Sequence, residues 1–176
     1  MSDYNHDMAF LFVRLLALQE FNRNGHVRLV VAGGLVANMV REPQHSWNGP
    51  QDIDMFIVAH SEADGVQTAM DVLNWLHTNF VVHGCVVTNN AFSVFGTMPM
   101  CHKGHQVQLV LRVYPTPGAV PRSFDLSQCG ALWDGYNFMA TELFALSVGA
   151  GEFCIGGMGQ QVNFVVYSST AARCII

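Results

Sequence analysis

The order of the apolar segments constrains the fold more than any other feature of this sequence. Two short apolar runs typical of buried strands, residues 26–34 and 52–60, alternate with three helical patterns, residues 3–23, 35–42 and 61–80. Beyond these segments, strand patterns dominate. This order predicts an α/β (α+β) fold in which helices flank a mixed β-sheet.

The second half of the chain adds predicted strands and one helix. Asn89–Asn90 is expected to join two strands, and Asp134–Gly135 predicts a hairpin. Thr141 is the expected N-cap of the last helix. Further strands are predicted over residues 105–114 and 160–168.

The low content of charged residues predicts that part of the surface is buried in an assembly. Hydrophobic residues make up 51% of the 176 residues and charged residues only 12%, whereas an average soluble domain has about 25% charged residues. The length is that of a single domain, which we assign to residues 1–176. Because few charged side chains can cover the surface, we expect a homo-oligomer or a larger assembly.

The net charge and the apolar runs argue against nucleic acid and membranes as partners. The formal net charge is −5 and the 8 basic residues form no run or stripe, whereas a phosphate backbone requires several Lys or Arg contacts. We therefore expect no stable binding of nucleic acid. The apolar run at residues 8–18 contains Arg14 and is too short to cross a bilayer, so no membrane partner is predicted.

The number and spacing of the cysteines indicate a reducing compartment. The 5 cysteines are scattered and form no CxxC pair, which is typical of small buried side chains in a reducing environment. The first residues are acidic rather than basic, unlike those of a signal peptide. An intracellular, cytoplasmic location is predicted.

Two aspartates, Asp52 and Asp54, open the second apolar strand pattern. Alternate residues of a strand share a face, so the two side chains should project together about 7 Å apart. Two carboxylates held in this way repel each other, and burial increases the repulsion. A divalent cation between them would remove the conflict, and the alternative is a solvated start of the strand.

Several motifs follow one another along residues 28–135. The strand "VVAGG" turns at Gly33–Gly34 into a short helix, the strand "DIDMF" follows, and the later strand "VQLVLRV" leads to "SFDLSQC". This order resembles the nucleotidyltransferase superfamily, with its DNA polymerase beta-like fold, and in particular small nucleotidyltransferase-like proteins of large DNA viruses and phages. Trp47, a few residues before the aspartates, also fits that subgroup.

The resemblance implies an activity and a set of site residues. Asp52 and Asp54 are implied to be catalytic and to hold Mg²⁺, and Gly33 and Gly34 to cradle a phosphate of the nucleotide. The implied reaction transfers a nucleoside monophosphate from an NTP substrate to a hydroxyl group of an unknown acceptor. A viral origin is implied as well.

Two further residues complete the implied site. Arg112 is the candidate nucleotide-binding cation, although it could instead pair with Asp125 or Asp54. Asp125 is the candidate third catalytic acid, because Gln106 and Gln108 stand where many active members carry a carboxylate, and glutamine cannot act as a base. This departure leaves a second interpretation open, an inactive derivative that serves as an assembly or structural module, for example in a virus particle. A regulatory partner protein is a third option.

Overall fold

The computed structural model describes residues 18–39, 52–97, 104–150 and 164–168. Its strands form one eight-stranded mixed sheet in the order β3-β4-β5-β2-β1-β6-β7-β8. The strands are β1 (Leu29–Ala32), β2 (Ile53–Val58), β3 (Val81–Val87), β4 (Ala91–Thr97), β5 (Gly104–Tyr114), β6 (Ala131–Trp133), β7 (Asn137–Thr141) and β8 (Phe164–Ser168).

Four α-helices accompany the sheet within the described ranges. They are α1 (Leu18–Phe21), α2 (Gly34–Met39), α3 (Glu62–Asn79) and α4 (Glu142–Ala150). The predicted class, a mixed sheet flanked by helices, is confirmed. Residues 3–17 of the predicted first helix lie outside the described residues. None of the helices within the described ranges is long and apolar enough to cross a membrane.

Short-range side-chain bonds explain where the two longer helices begin. Ser61 Oγ accepts a hydrogen bond from the Asp64 backbone N–H at 3.1 Å, which caps α3. Thr141 Oγ1 accepts one from the Phe144 N–H at 3.1 Å, at the start of α4. Both predicted caps are therefore confirmed.

The sheet contains one parallel pair at its centre. β2 lies parallel to β5, and every other neighbouring pair is antiparallel. A parallel pair needs a long crossover, which α3 and the β3–β4 hairpin supply here.

Alternating side chains divide the core between the two faces of the sheet. The helix face, which includes Leu29, Val31 and Met55, packs against apolar side chains of the helices. The opposite face, called the loop face, includes Val30 and Phe56 and packs against side chains of the segment that follows β5, among them those of Val120 and Phe124. The large ring of Phe124 meets Phe56 edge-on, with centroids 5.5 Å apart. One face is therefore covered by helices and the other by a short irregular segment.

A buried asparagine joins the N-terminal segment to the sheet. Asn22 is 2% exposed. Its Nδ2 donates to the carbonyl oxygens of Leu29 at 2.7 Å and Asp134 at 2.6 Å, and its Oδ1 accepts from the N–H groups of Arg28 and Leu29. Asp134 in turn begins the turn between β6 and β7, where the predicted hairpin is confirmed.

We expect Asn22→Ala to lower the free energy of unfolding by about 2–4 kcal/mol, because it leaves several buried backbone groups without partners. Urea denaturation measures this change. Asn74→Ala is the matched control, since Asn74 is exposed on α3 and its loss should change stability by less than about 0.5 kcal/mol. Equal effects of the two substitutions would contradict the assigned role of Asn22.

Candidate functional site

The register of the sheet places Asp54 in a row of side chains across five strands. Asp54 pairs with Ala32 of β1 on one side and with Gln108 of β5 on the other. Gln108 pairs with Ser93 of β4, which pairs with Val86 of β3. The row lies on the loop face, because Ile53 and Met55, the chain neighbours of Asp54, belong to the core of the helix face.

Gly33 borders the carboxylate of Asp54. Gly33 has a φ of +92°, and a Cβ added to it would lie 3.2 Å from Asp54 Oδ2. Its missing side chain therefore allows the backbone of the β1–α2 turn to approach the carboxylate closely. Gly34 differs, since it is exposed and a Cβ there meets no atom within 4 Å. Of the two glycines predicted to bind phosphate, only Gly33 has a conformation that requires glycine.

Gln108 and Ser93 extend the polar part of the row. Gln108 Nε2 donates to Ser93 Oγ at 3.1 Å, and Ser93 is buried. Because this bond uses the amide nitrogen of Gln108, the amide oxygen remains available as an acceptor on the half-buried side chain. Asp52 is exposed and directly precedes β2, and its charge acts on Asp54. We call the group of Gly33, Asp52, Asp54, Ser93 and Gln108 the acid notch.

The electrostatics of the acid notch centre on Asp54. Burial, and in second place the charge of Asp52, raise the pKa of Asp54 from 3.8 to about 6. Both causes act against ionisation, so the fold holds two like charges together at neutral pH at a cost in stability. A carboxyl group with this pKa can exchange a proton near neutral pH or accept a cation as a partner.

The residues of the acid notch are suited to a hard divalent cation. Asp52 and Asp54 supply carboxylate oxygens, while Gln108 and Ser93 could supply neutral oxygens, the donor type that Mg²⁺ and Ca²⁺ prefer. Among the described residues, no three or more His, Cys, Asp or Glu side chains form a group that could hold a metal ion. Any bound cation would therefore depend on two carboxylates only.

The predicted third acid does not complete a metal-binding group with Asp52 and Asp54. Asp125 is exposed and directly follows Phe124, whose ring packs on the loop face, and among the described residues no such group of three acids forms. Its catalytic role stays a prediction.

Arg112 lies near the far end of β5. It lies in an irregular stretch between Val110, which pairs with Phe56, and Val113, which pairs with Ile57, and therefore less than about 10 Å along the strand from the Asp54–Gln108 pair. Its guanidinium carbon lies 5.1 Å from the ring centroid of Tyr114, a cation–π contact. This contact supplies a structural role for Arg112, and nucleotide binding by it stays a prediction. Trp47 lies outside the described residues.

Sequence reasoning missed Ser93 as a member of the site. Ser93 follows the Asn89–Asn90 turn and carries no motif. The only signal is its place on the hairpin, because the alternation of β4 sends its side chain to the same face as Asp54 once the register is known.

Comparison with protein families identifies a match over most of the chain. Residues 8–148 match the model of a family described as "Gad2: Gabija anti-defense 2 family protein". A search of curated proteins finds no match. The matched stretch includes the whole acid notch.

This match corrects the interpretation drawn from the motifs. The family is not a nucleotidyltransferase family, so the predicted membership of that superfamily is wrong, and with it the Mg²⁺-dependent transfer of a nucleoside monophosphate. The alternative of an inactive nucleotidyltransferase used as an assembly module depended on the same ancestry and is not supported. A Gly-Gly turn and an Asp-x-Asp strand satisfy local backbone and charge requirements that other proteins share. The residues themselves keep their observed geometry.

Gly33→Ala should destabilise the fold by about 1–3 kcal/mol, because alanine disfavours the positive φ and its Cβ would press on the Asp54 carboxylate. Gly34→Ala is the control. It places the same methyl group in open space at the start of α2, where stability should stay constant or rise by up to about 1 kcal/mol. Denaturant unfolding of both variants measures the contrast, and a harmless Gly33→Ala would contradict the close approach.

Asp54→Asn should stabilise the protein in a pH-dependent manner. Because the folded-state pKa of Asp54 is raised to about 6, the folded state binds more protons than the unfolded state between pH 3.8 and 6. Protonated Asp54 therefore stabilises the folded state at low pH, and this stabilisation is lost as the pH rises through 6. We expect a gain of about 1–3 kcal/mol at pH 7.5 that shrinks towards zero near pH 4.

Thermal and urea unfolding across this pH range test the prediction for Asp54. Asp125→Asn, which changes an exposed acid, serves as the control and should show no comparable pH-dependent gain. A gain for Asp54→Asn that is independent of pH would show that charge burial is not its cause.

Proposed function

Because the chain belongs to the Gabija anti-defense 2 family, we propose that it is phage-encoded and counteracts the Gabija defence of an infected cell, with the acid notch as its working site. The family name supports the first part. The pairing of Asp54 with Gln108 and the effect of the Asp52 charge on Asp54 support the second. The activity would be exercised inside the cell, in line with the location expected from the cysteine content.

The raised pKa of Asp54 is the observation that supports this choice of site. Two like charges at the edge of a buried strand oppose folding, and a solvated or apolar residue at position 54 would avoid the cost. Groups held in such unfavourable surroundings concentrate at functional sites. Gly33 adds a second constraint at the same place, since its positive φ and its close approach to the Asp54 carboxylate both require glycine.

A hard divalent cation is the ligand that best fits the acid notch. Asp52 and Asp54 would hold it, with the Gln108 amide oxygen and Ser93 hydroxyl as neutral donors. The bound ion would supply a positive centre for an anionic group of the target. The protein's own part is to orient Gln108 through Ser93, to keep the Gly33 side open, and to hold Asp54 partly out of water.

The defining experiment is infection of cells that carry the Gabija defence, with and without expression of this protein. Wild-type protein should restore plaque formation. The double variant Asp52→Asn with Asp54→Asn should lose at least about 90% of that rescue if the acid notch carries the activity. Protein levels are compared by immunoblot, because the double variant should fold at least as well as wild type.

A second acidic pair on the same chain provides the control. Glu62 and Asp64 are exposed in the first turn of α3, and Glu62→Gln with Asp64→Asn removes the same two charges at the same spacing. This variant should rescue the phage as wild type does. Full rescue by the Asp52/Asp54 variant would refute the assignment of the working site, and no rescue by wild type would refute the proposed function itself.

Cation binding is tested separately on purified protein. Addition of Mg²⁺ or Ca²⁺ should raise the melting temperature of wild type, because a ligand that binds only the folded state stabilises it. The Asp52/Asp54 variant should show a smaller rise than wild type, and the Glu62/Asp64 variant an equal one. Equal shifts in all three proteins would contradict a cation in the acid notch.

A further inference from the structure

Strand β3 forms one edge of the sheet. It pairs with β4, and within the described part of the chain no strand lies on its other side. The outward backbone N–H and C=O groups of Val81–Val87 are therefore available to another strand.

Exposed valines lie on both faces of this edge. The register with β4 places Val82 and Val87 on the helix face and Val81 and Val86 on the loop face. On the helix face Val82 is 46% exposed and Val87 66%, and on the loop face Val81 is 54% exposed and Val86 51%. A partner resting on one face would leave the valines of the other face in water. A strand added in the plane of the sheet would cover part of both pairs.

Nothing in the charge of β3 opposes such an addition. The strand reads VVHGCVV and carries no Asp, Glu, Lys or Arg, whereas edge strands that avoid pairing commonly carry charged residues or proline. A bulge lies at His83, between the pairs Val82–Gly96 and Gly84–Phe95. The regular part of the edge is therefore Gly84–Val87.

We propose that β3 pairs with β3 of a second copy of this chain, antiparallel and around a twofold axis. The required partner is an unpaired, uncharged strand that presents apolar side chains on both faces, and β3 itself meets this description. Paired residues must lie on the same face. An axis at Cys85 satisfies this condition, since it pairs Gly84 with Val86 and Cys85 with its own copy.

The size of this contact sets its strength. With the axis at Cys85, five residues of each strand (83–87) lie opposite each other, which is about 17 Å of strand. A sheet layer is about 10 Å deep, so the pairing covers about 170 Å² per copy and about 340 Å² in total. Stable complexes bury about 1,200–2,000 Å². The dimer is therefore a weak, reversible one that forms at high protein concentration.

The pairing also has a consequence for the acid notch. Asp54 and Val86 belong to the same row, three strands apart. With about 4.8 Å between neighbouring strands, the two acid notches of the dimer would lie roughly 34 Å apart on one face of a continuous sheet. The inference does not depend on the proposed function, because the mass of the particle is measured without any target.

Sedimentation velocity of the purified chain tests the proposal between about 2 and about 200 µM, since dimerisation follows mass action. Wild type should shift from monomer to dimer over this range. Val86→Lys should remain monomeric, because it places two lysines close together across the axis. Val66→Lys is the matched control, since Val66 is 62% exposed on α3, and it should dimerise as wild type does.

Cys85 provides a second measurement that identifies the edge. Cys85 is exposed and forms no disulfide. A short bis-maleimide should therefore cross-link two copies of wild type, and Cys85→Ala should abolish the product. A monomer at every concentration would overturn the proposal, as would a dimer that Val86→Lys leaves intact. The proposal would also be overturned if wild type stayed monomeric while Val86→Lys lost the rescue of phage from the Gabija defence. That result would indicate that β3 binds a different protein.

Discussion

The parallel pairing of β2 with β5 is the contact on which the acid notch depends. It sets Asp54 beside Gln108, and the antiparallel neighbours then add Ala32 on one side and Ser93 on the other. A shift of one residue between β2 and β5 would send Asp54 to the helix face and Met55 to the loop face. The cores of both faces prevent that shift, because each buries the apolar side chains of alternate positions.

The stability of the molecule and the properties of the acid notch are opposed at Asp54. The cores on both sides of the sheet hold β2 in place, and this allows a carboxylate to stay beside Asp52 with a pKa raised to about 6. Gly33 lets the turn after β1 approach this carboxylate, because glycine adopts its positive φ freely and has no Cβ to press on Asp54. The packing that stabilises the sheet therefore also holds Asp54 in surroundings that disfavour its charge.

Prediction from sequence was successful for local structure and failed for ancestry. Ser61 and Thr141 cap the helices that they were expected to cap, and Asn89–Asn90 and Asp134–Gly135 lie between the strands that they were expected to join. Each of these signals acts within a few residues of the chain. The nucleotidyltransferase assignment is wrong because its motifs describe a turn and a charged strand. Cys85 was also expected to be buried, yet it lies exposed on the edge of the sheet.

The sequence alone predicted the strands and helices of this fold and placed the charge of Asp52 near Asp54, because the two residues are only two positions apart in the chain. Only the tertiary structure decided what surrounds that pair. Gln108 and Ser93 lie beside it through the order and register of the strands, while Arg112 lies near the other end of β5. Register between distant strands results from packing of the whole sheet, which no local pattern encodes.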